Sequence, residues 1–207
     1  MHLFQYGQKE IDHLTSRDAK LGRAIGRIGM IERRVVPDLF EALVHSVVSQ
    51  QISRAAADTV WGRLCRRLGA VTPHTVAGTD VSEIQKCGLS MRKAGYIKGI
   101  GEAAIGGELD LPELRAMPDH GVIEKLSSIP GIGVWTAEML LIFSLGRPDV
   151  VSWGDLAIRR GMIKLYGLSE LSKKQFDRFR KRYSPCGSVA SLYLWALSAE
   201  PSPLKRC

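Results

Sequence analysis

Apolar residues recur along this chain at the spacing of α-helices, and no segment shows the convincing alternation of a β-strand. After Asp38, a residue that can cap a helix, Leu39, Leu43 and Val47 share one helical face. The same periodicity predicts further helices after Ser53 and Asp80, from Ser90, after Pro118, over 134–143 and 155–166, from Ser172, and over 188–199. The pattern therefore predicts an all-α fold, in which the almost wholly apolar helix 134–143 is buried.

The length and composition are those of a globular protein. The chain has 207 residues, of which 45% are hydrophobic and 24% charged, enough to bury a core as one domain or two small ones. No apolar run is long enough to cross a bilayer, and the first residues lack the apolar stretch of a secretory signal. We therefore expect a cytoplasmic protein, or a nuclear one in a eukaryote, without a membrane partner.

The formal net charge of +8 favours a polyanionic partner. Lysine and arginine side chains near a phosphate release condensed counterions, which favours binding to nucleic acid. Many basic proteins bind no nucleic acid, however, so the charge alone leaves that interpretation open.

The four cysteines are Cys65, Cys87, Cys186 and Cys207. No two of them lie close enough in sequence for a Cys-x-x-Cys metal clamp. Because a cytosolic protein keeps such residues reduced, we expect free thiols without a metal.

The most informative segment is LSSIPGIGVWTAEML, residues 126–140, in which the turn Pro130-Gly131-Ile132-Gly133 joins two apolar helices. So short a turn needs glycines, which supply positive φ and permit close backbone approach. The amides of Gly131 and Gly133, with the start of the following helix, then make an anion site suited to a phosphate oxygen. Thr136 adds a hydroxyl in the first helical turn. The alternative is a plain joint between two helices.

The carbonyl groups on the other side of the same turn predict a cation site. Those of Ser127, Ile129 and Ile132 can hold a K⁺ or Na⁺ ion that bridges to the phosphate. Such a site uses main-chain oxygens and needs no carboxylate or thiolate ligand. We therefore expect no cofactor apart from a structural monovalent cation at this turn.

The string IPGIGVWTAEML resembles the helix-hairpin-helix of the DNA glycosylase superfamily that includes endonuclease III and DNA-3-methyladenine glycosylase II. The resemblance implies an all-α fold of two helical lobes with the active site in the cleft between them. It assigns residues 38–143 to a central lobe that ends in the helix-hairpin-helix. Residues 1–37 and 144–207 then form a second lobe from both termini. It also implies a monomer that binds double-stranded DNA containing damaged bases.

Two further segments extend the resemblance. The family's catalytic aspartate lies shortly after the hairpin and opens the next helix, and SWGDLAIRRG supplies Asp155 there, 22 residues beyond Gly133. Arg160 follows at the family's usual spacing. ALVHSVVSQQISRAAA, residues 42–57, is similar to the family's first long helix and the turn that enters the minor groove. By that similarity Gln51 is the wedge that fills the gap left by a flipped base.

Single positions sort the chain within this family. Bifunctional members carry a lysine two residues after the second hairpin glycine, where its amine forms a Schiff base with the sugar. Trp135 stands there, so the resemblance implies a monofunctional enzyme of the alkylbase branch, of which GLSMRKAGYIKGI at 88–100 is also typical. Some members hold an iron-sulfur cluster on four C-terminal cysteines. Only Cys186 and Cys207 lie in that region, so we expect no cluster.

The resemblance places Trp135 in a substrate pocket. Trp153, just before Gly154-Asp155, is a second candidate for the lining of the cleft, and its position alone leaves that open. Methylation at N3 or N7 makes a purine cationic, and a cation is attracted to the electron-rich face of an indole ring. The alternative is that Trp135 is a core residue of its apolar helix. The family usually has Pro-Tyr-Arg-Ser or Pro-Trp-Arg-Ser before the last helix, whereas this chain has Pro185-Cys186-Gly187-Ser188. An aromatic wall and an arginine are missing, which leaves the substrate range open.

Asp155 also has two interpretations. An aspartate at a helix N-terminus is most often a cap, stabilised by the helix dipole. The same carboxylate can stabilise an oxocarbenium-like sugar and orient a water, so both roles can coexist. The sequence therefore predicts a monofunctional DNA glycosylase for alkylated purines, acting in base excision repair, with Asp155 as the catalytic carboxylate. The alternatives are a glycosylase for another damaged or mismatched base and a DNA-binding module without catalytic activity.

Overall fold

The computed structural model describes residues 2–201, whose regular structure consists of thirteen α-helices and one isolated bridge between Leu3 and Arg34. The helices are α1 (Gln8–Arg17), α2 (Ala19–Ile28), α3 (Leu39–Ser49), α4 (Arg54–Leu68), α5 (Pro73–Gly78), α6 (Val81–Gln85), α7 (Met91–Ile105), α8 (Leu111–Ala116), α9 (Asp119–Ser127), α10 (Val134–Phe143), α11 (Leu156–Tyr166), α12 (Lys173–Tyr183) and α13 (Gly187–Ala199). The predicted all-α fold is confirmed for this part of the chain. No helix between residues 2 and 201 is both long and apolar enough to cross a lipid bilayer.

The cysteines in the described part of the chain are free thiols, as predicted: Cys65, Cys87 and Cys186. Burial raises the pKa of each of these thiols, which favours the protonated and unreactive form. Cys207 lies outside the described residues.

The periodicity did not predict helices α1, α2, α5 and α8. Helices α5 and α8 have six residues each, too few to show a helical period, and α5 begins with Pro73 after the capping residue Thr72. Helices α1 and α2 are separated by Asp18 alone, whose backbone is extended and whose carboxylate caps α2. Capping side chains, rather than an apolar period, mark where α2 and α5 begin.

The chain divides into two compact units. The hairpin unit, Val36–Leu145, contains α3–α10, and the terminal unit contains the remaining helices, drawn from Met1–Val35 and Gly146–Cys207. Within the hairpin unit, α3 packs against α4, α7 and α10. Its apolar side chains are buried, as the pattern after Asp38 predicts.

Helix α10 is buried along only part of its length. The exposed fractions of Val134 and Trp135 are 55% and 48%, whereas Ala137, Leu140 and Leu141 are buried. The prediction of a wholly buried helix was therefore wrong at the first turn. An apolar sequence shows that a helix can be buried but does not show where the surrounding core ends.

Helix α13 forms the centre of the terminal unit, since nine of its thirteen residues are buried. Helix α11 packs against it at very short range. A Cβ atom at Gly161 would lie 2.1 Å from the carbonyl oxygen of Leu194, so only glycine fits at this crossing.

A buried carboxylate connects the N-terminal and C-terminal helices of the terminal unit. Asp18 accepts hydrogen bonds from the amides of Lys20 (3.1 Å) and Leu21 (3.0 Å), from the Tyr166 hydroxyl (2.7 Å) and from the Arg182 guanidinium (3.0 Å). Burial by itself would raise the pKa of Asp18, but the hydrogen bonds from Tyr166, Leu21 and Arg182 outweigh it and lower the pKa below its ordinary value. The ionised carboxylate therefore stabilises this unit.

Replacing Asp18 with asparagine should lower the free energy of unfolding at pH 7 by about 2–3 kcal/mol, because hydrogen bonds to charged groups contribute about 1.5–3 kcal/mol. The depressed pKa in the folded state means that the parent gains this stability above the unfolded-state pKa of about 3.9. It loses that stability as the pH falls through the folded-state pKa. Urea unfolding at pH 7 and at about pH 3 should therefore show a parent–variant difference that shrinks in acid.

The control for this experiment is Asp38→Asn. Asp38 is exposed and caps α3 through the Glu41 amide at 2.9 Å, and asparagine caps a helix about as well as aspartate. This variant should match the parent at both pH values. A difference for Asp18→Asn that stays constant with pH would contradict the assigned role of its charge.

Candidate active site and nucleic-acid interface

The hairpin turn is closed by close packing around Gly131. The Ile132 amide donates to the Ile129 carbonyl at 3.0 Å, and Gly131 has φ +92°. A Cβ atom at Gly131 would lie 2.5 Å from Cδ2 of Tyr96, so both the positive φ and the close approach require glycine. Gly133 differs, since its backbone is extended (φ −97°, ψ 169°) and an added Cβ would meet no atom within 4 Å. The prediction of positive φ was right for Gly131 and wrong for Gly133.

Gly133 is the exposed N-cap residue of α10. Neither its amide nor that of Gly131 donates a hydrogen bond to another of the described residues. These amides and the first turn of α10 are thus available to an anion, in the arrangement that the sequence predicts. Thr136 is only 7% exposed, which gives little support to the predicted phosphate contact of its hydroxyl.

The carbonyl groups of Ser127, Ile129 and Ile132 remain a predicted cation site. They lie at the end of α9 and in the turn that follows it. The Ile129 oxygen accepts the Ile132 amide and keeps a second lone pair, which leaves it able to ligate a cation. Residues 2–201 contain no group of three or more His, Cys, Asp and Glu side chains placed to hold a metal ion.

The segment between α3 and α4, residues 50–53, is here called the Gln51 loop. Gln51 has φ +58° and, among the described residues, is the one non-glycine residue with positive φ. Its side chain is exposed, and the neighbouring Ile52 is 40% exposed, so a polar and an apolar group stand together at the tip of the loop. Left-handed backbone costs a non-glycine residue about 1–2 kcal/mol.

Two side chains hold the Gln51 loop in the hairpin unit. The Gln50 amide Nε2 donates to the Gly131 carbonyl at 2.8 Å. The Lys93 ammonium donates to the carbonyls of Val48 (2.9 Å) and Gln50 (2.5 Å), at the C-terminal end of α3. Sequence reasoning missed both residues, although Gln50 is adjacent to Gln51 and Lys93 lies within the segment 88–100.

Trp135 is a surface residue of the hairpin unit. With an exposed fraction of 48% at the second position of α10, it is not a core residue, and the alternative interpretation of it was wrong. Val134 beside it is also exposed. Together they place an aromatic and an aliphatic group immediately after the anion site at Gly133.

Asp155 is a buried capping residue of the terminal unit. Its exposed fraction is 6%, and its Oδ1 atom accepts the Ile158 amide at 2.9 Å at the start of α11. The predicted capping interaction is therefore present. The N-terminus of α11 stabilises the negative charge of this carboxylate, as a role in catalysis also requires.

Trp153 lies close to Asp155 in sequence but already has cationic neighbours. The Arg159 guanidinium lies 5.0 Å and the Lys173 ammonium 5.8 Å from the centre of the Trp153 ring. The Phe176 ring packs edge-on against it, with 5.1 Å between the two ring centres. Two positive charges near the ring oppose the approach of a cationic base. The geometry thus favours a packing role for Trp153 over the predicted pocket role.

At Pro185-Cys186-Gly187-Ser188 the chain lacks the aromatic residue and the arginine that the family usually has, and the local packing explains why an arginine is absent. The Asp149 carboxylate accepts the Gly187 amide at 3.1 Å and the Ser184 hydroxyl at 2.6 Å. A Cβ atom at Gly187 would lie 2.5 Å from Oδ1 of Asp149, so an arginine could not replace Gly187 unless Asp149 moved. Cys186 is buried within the terminal unit. The segment is thus an alternative packing arrangement built around Asp149.

Comparisons with known proteins agree on one family. The model of the HhH-GPD superfamily of base excision DNA repair proteins matches residues 44–186. DNA-3-methyladenine glycosylase 1 of Schizosaccharomyces pombe is 32% identical over 197 residues, which are 90% of this chain and 85% of that protein. The crystal structure of a DNA-3-methyladenine glycosidase from Bacillus halodurans is 37% identical with a TM-score of 0.87, covering 96% of this chain and 93% of that one. A 3-methyladenine DNA glycosylase of Schizosaccharomyces pombe in complex with abasic DNA is 33% identical with a TM-score of 0.78. That match covers 90% of this chain and 95% of the other.

The two hairpin glycines should respond differently to alanine. Gly131→Ala forces a Cβ atom into the Tyr96 ring at positive φ and should lower the free energy of unfolding by about 1–3 kcal/mol. Gly133→Ala adds a methyl group in open space on extended backbone but puts a poorer N-cap residue at the start of α10, so it should lower the free energy of unfolding by only about 0.5 kcal/mol. Urea unfolding curves of the two variants measure this difference. Equal destabilisation would show that the packing around Gly131 does not hold the turn.

Proposed function

Because the chain belongs to the helix-hairpin-helix superfamily of base excision DNA repair proteins, we propose that it is a monofunctional DNA glycosylase that removes alkylated purines from duplex DNA. The resemblance to the alkylbase branch that Trp135 and GLSMRKAGYIKGI indicate is confirmed by relatives named DNA-3-methyladenine glycosylase. The observation that carries the proposal is Asp155, a buried carboxylate at the N-terminus of a helix that follows the hairpin by 22 residues. The proposed reaction is hydrolysis of the N-glycosidic bond in base excision repair.

The hairpin unit supplies the contacts that hold DNA in this proposal. Backbone amides at Gly131 and Gly133 bind a phosphate oxygen and, being main-chain groups, do so without reading sequence. The carbonyls of Ser127, Ile129 and Ile132 are the groups that would hold a K⁺ or Na⁺ ion, whose charge would neutralise part of that of the phosphate. Gln51 and Ile52 fill the space that a flipped nucleotide leaves, as inserted polar and apolar side chains do in other DNA complexes.

Trp135 is the proposed recognition group for the base. A purine methylated at N3 or N7 carries a positive charge, and the face of an indole ring attracts such a cation by about 0.5–2 kcal/mol. The same charge makes the base a good leaving group. An indole has no amine with which to form a Schiff base, so no covalent link to the sugar can arise at this position.

Asp155 is the proposed catalytic carboxylate. As the glycosidic bond breaks, its electron pair leaves with the base and positive charge develops at C1′ of the sugar. The carboxylate stabilises that charge and accepts a proton from the water that adds to C1′. The N-terminus of α11 keeps the carboxylate in place. The products are the free base and an abasic site.

A glycosylase for a different lesion is the second candidate. Its specific support is the replacement of the family's aromatic residue and arginine by Cys186 and Gly187, which changes the groups near the start of α13. A panel of duplexes that each contain one lesion, scored for released base, separates the candidates. Release of 3-methyladenine or 7-methylguanine supports the proposal, release of deaminated or mismatched bases alone supports the second candidate, and no release from any duplex indicates a non-catalytic DNA-binding module.

Trp135 in place of a lysine predicts that the enzyme has no lyase activity. Incubation with a lesion-containing duplex should leave intact strands with abasic sites, which break only after added alkali or heat. Borohydride should trap no covalent protein–DNA adduct. A trapped adduct at stoichiometric yield would overturn the monofunctional assignment.

Asp155→Asn should preserve the helix cap but reduce the rate of base release. Asparagine keeps the size and capping ability of aspartate and loses the charge and the proton acceptor, a loss of about 10²–10⁴-fold in rate for the acceptor alone. The reduction should be smaller for cationic bases than for neutral lesions. Single-turnover release measures it, with a melting curve as a check on folding.

Asp38→Asn is the matched control for this variant, since it changes an aspartate that caps α3 in the same way. It should release base at the parent rate. Loss of a general base lowers a rate by about 10²–10⁴-fold, so at most about a hundredth of the parent rate should remain. A folded Asp155→Asn protein that keeps more than about a tenth of the parent rate would therefore show that Asp155 is a cap alone.

A further inference from the structure

Three segments of the hairpin unit meet at Gln50. Its side-chain amide reaches the Gly131 carbonyl in the hairpin turn, and its main-chain carbonyl accepts the Lys93 ammonium from α7. Lys93 also binds the Val48 carbonyl in the last turn of α3. Gln50 and Lys93, here called the brace, therefore link the loop that carries Gln51 to the turn that presents the anion site.

The brace contacts the main chain at the C-terminal end of α3, next to the left-handed residue Gln51. The last carbonyls of a helix have no partner within it, and Lys93 supplies one for Val48 and Gln50. The next residue, Gln51, is held in left-handed conformation, which persists only where surrounding contacts determine it. Burial lowers the pKa of Lys93 by removing its ammonium group from water, whereas the two carbonyls that accept its hydrogen bonds favour the charged form.

We propose that Lys93 and Gln50 are positioning residues that preset the Gln51 loop relative to the hairpin phosphate site before DNA binds. A strand whose phosphate is bound at Gly131 and Gly133 then meets Gln51 and Ile52 already in place. No loop ordering opposes their insertion when the base flips out. This inference rests on the proposed function in one respect, namely that the tip of the Gln51 loop enters the duplex.

A purely structural role for Lys93 makes a different prediction from a positioning role. Loss of stability would reduce excision of every substrate to the same extent. Loss of positioning reduces excision only where the protein must open a base pair, because an unpaired base flips at lower cost. A lesion opposite a normal base and the same lesion opposite an abasic site therefore distinguish the two roles.

The experiment compares Lys93→Met and Gln50→Leu with the matched control Lys98→Met. Lys98 lies on the same helix and also donates to a main-chain carbonyl, that of Ala77, with a side chain 21% exposed. The brace variants should release a paired lesion about 10–100-fold more slowly in single turnovers, since a small misplacement of this kind can cost about 10²-fold. They should stay within about threefold of the parent when the lesion faces an abasic site. Lys98→Met should match the parent on both duplexes.

A second readout requires no catalysis. In a duplex with 2-aminopurine opposite an abasic-site analogue, saturating parent should change the fluorescence as the Gln51 loop inserts, and the brace variants should change it less. Lys93→Arg, which keeps a donor at this position, should recover part of the signal. The fluorescence measurement does not depend on the proposed function, since a parent protein that releases no base can still insert its loop.

Two results would overturn the proposal. One is brace variants that slow excision equally on both duplexes while their fluorescence change equals that of the parent. The other is brace variants that match the parent in every measurement. If Lys93→Met does not fold, Gln50→Leu, which removes a single hydrogen bond at 2.8 Å, provides the same comparison.

Discussion

The close approach of the Gly131 main chain to the Tyr96 ring is the constraint that seats the hairpin turn on α7. With any other residue at this position a Cβ atom would overlap the ring, so the turn and α7 can pack only through glycine. In that packing the Gly131 carbonyl accepts the Gln50 side-chain amide, while the amides of Gly131 and Gly133 donate to none of the described main-chain carbonyls. The proposed phosphate site and the Gln51 loop are therefore both attached to this one turn.

Much of this arrangement could be predicted from the sequence because it depends on local chemistry. The Pro-Gly-Ile-Gly string indicates a tight turn, and an aspartate at a helix start indicates a cap, which Asp155 forms. The sequence alone could not separate Gly131 from Gly133. Both look alike in the string, but only Gly131 faces a partner, Tyr96, that lies 35 residues earlier in the chain. Contacts between distant segments leave no periodic signal.

The same reasoning explains the errors elsewhere. Helix α10 is almost wholly apolar, yet Val134 and Trp135 in its first turn are exposed. Hydrophobicity alone does not show which apolar side chains of a helix lie inside the core. Lys93 could not be recognised as a partner of α3 carbonyls, because a lysine in a basic chain is indistinguishable from its neighbours until packing places it. At Gly187 the sequence shows that an arginine is absent, and the structure shows that the Asp149 carboxylate would lie too close to its side chain.

The Asp18 network bears on the order in which the nascent chain can fold. Asp18 is 148 residues from its partner Tyr166 and 164 residues from its partner Arg182, and the whole hairpin unit lies between them. On the ribosome the two N-terminal helices emerge first and can pack against each other, but their contacts with α11–α13 form only when those helices follow. The hairpin unit is continuous in sequence and can fold in the meantime. The terminal unit is therefore completed last, when the C-terminal helices leave the ribosome. Until then the first two helices lack the α11–α13 part of their core.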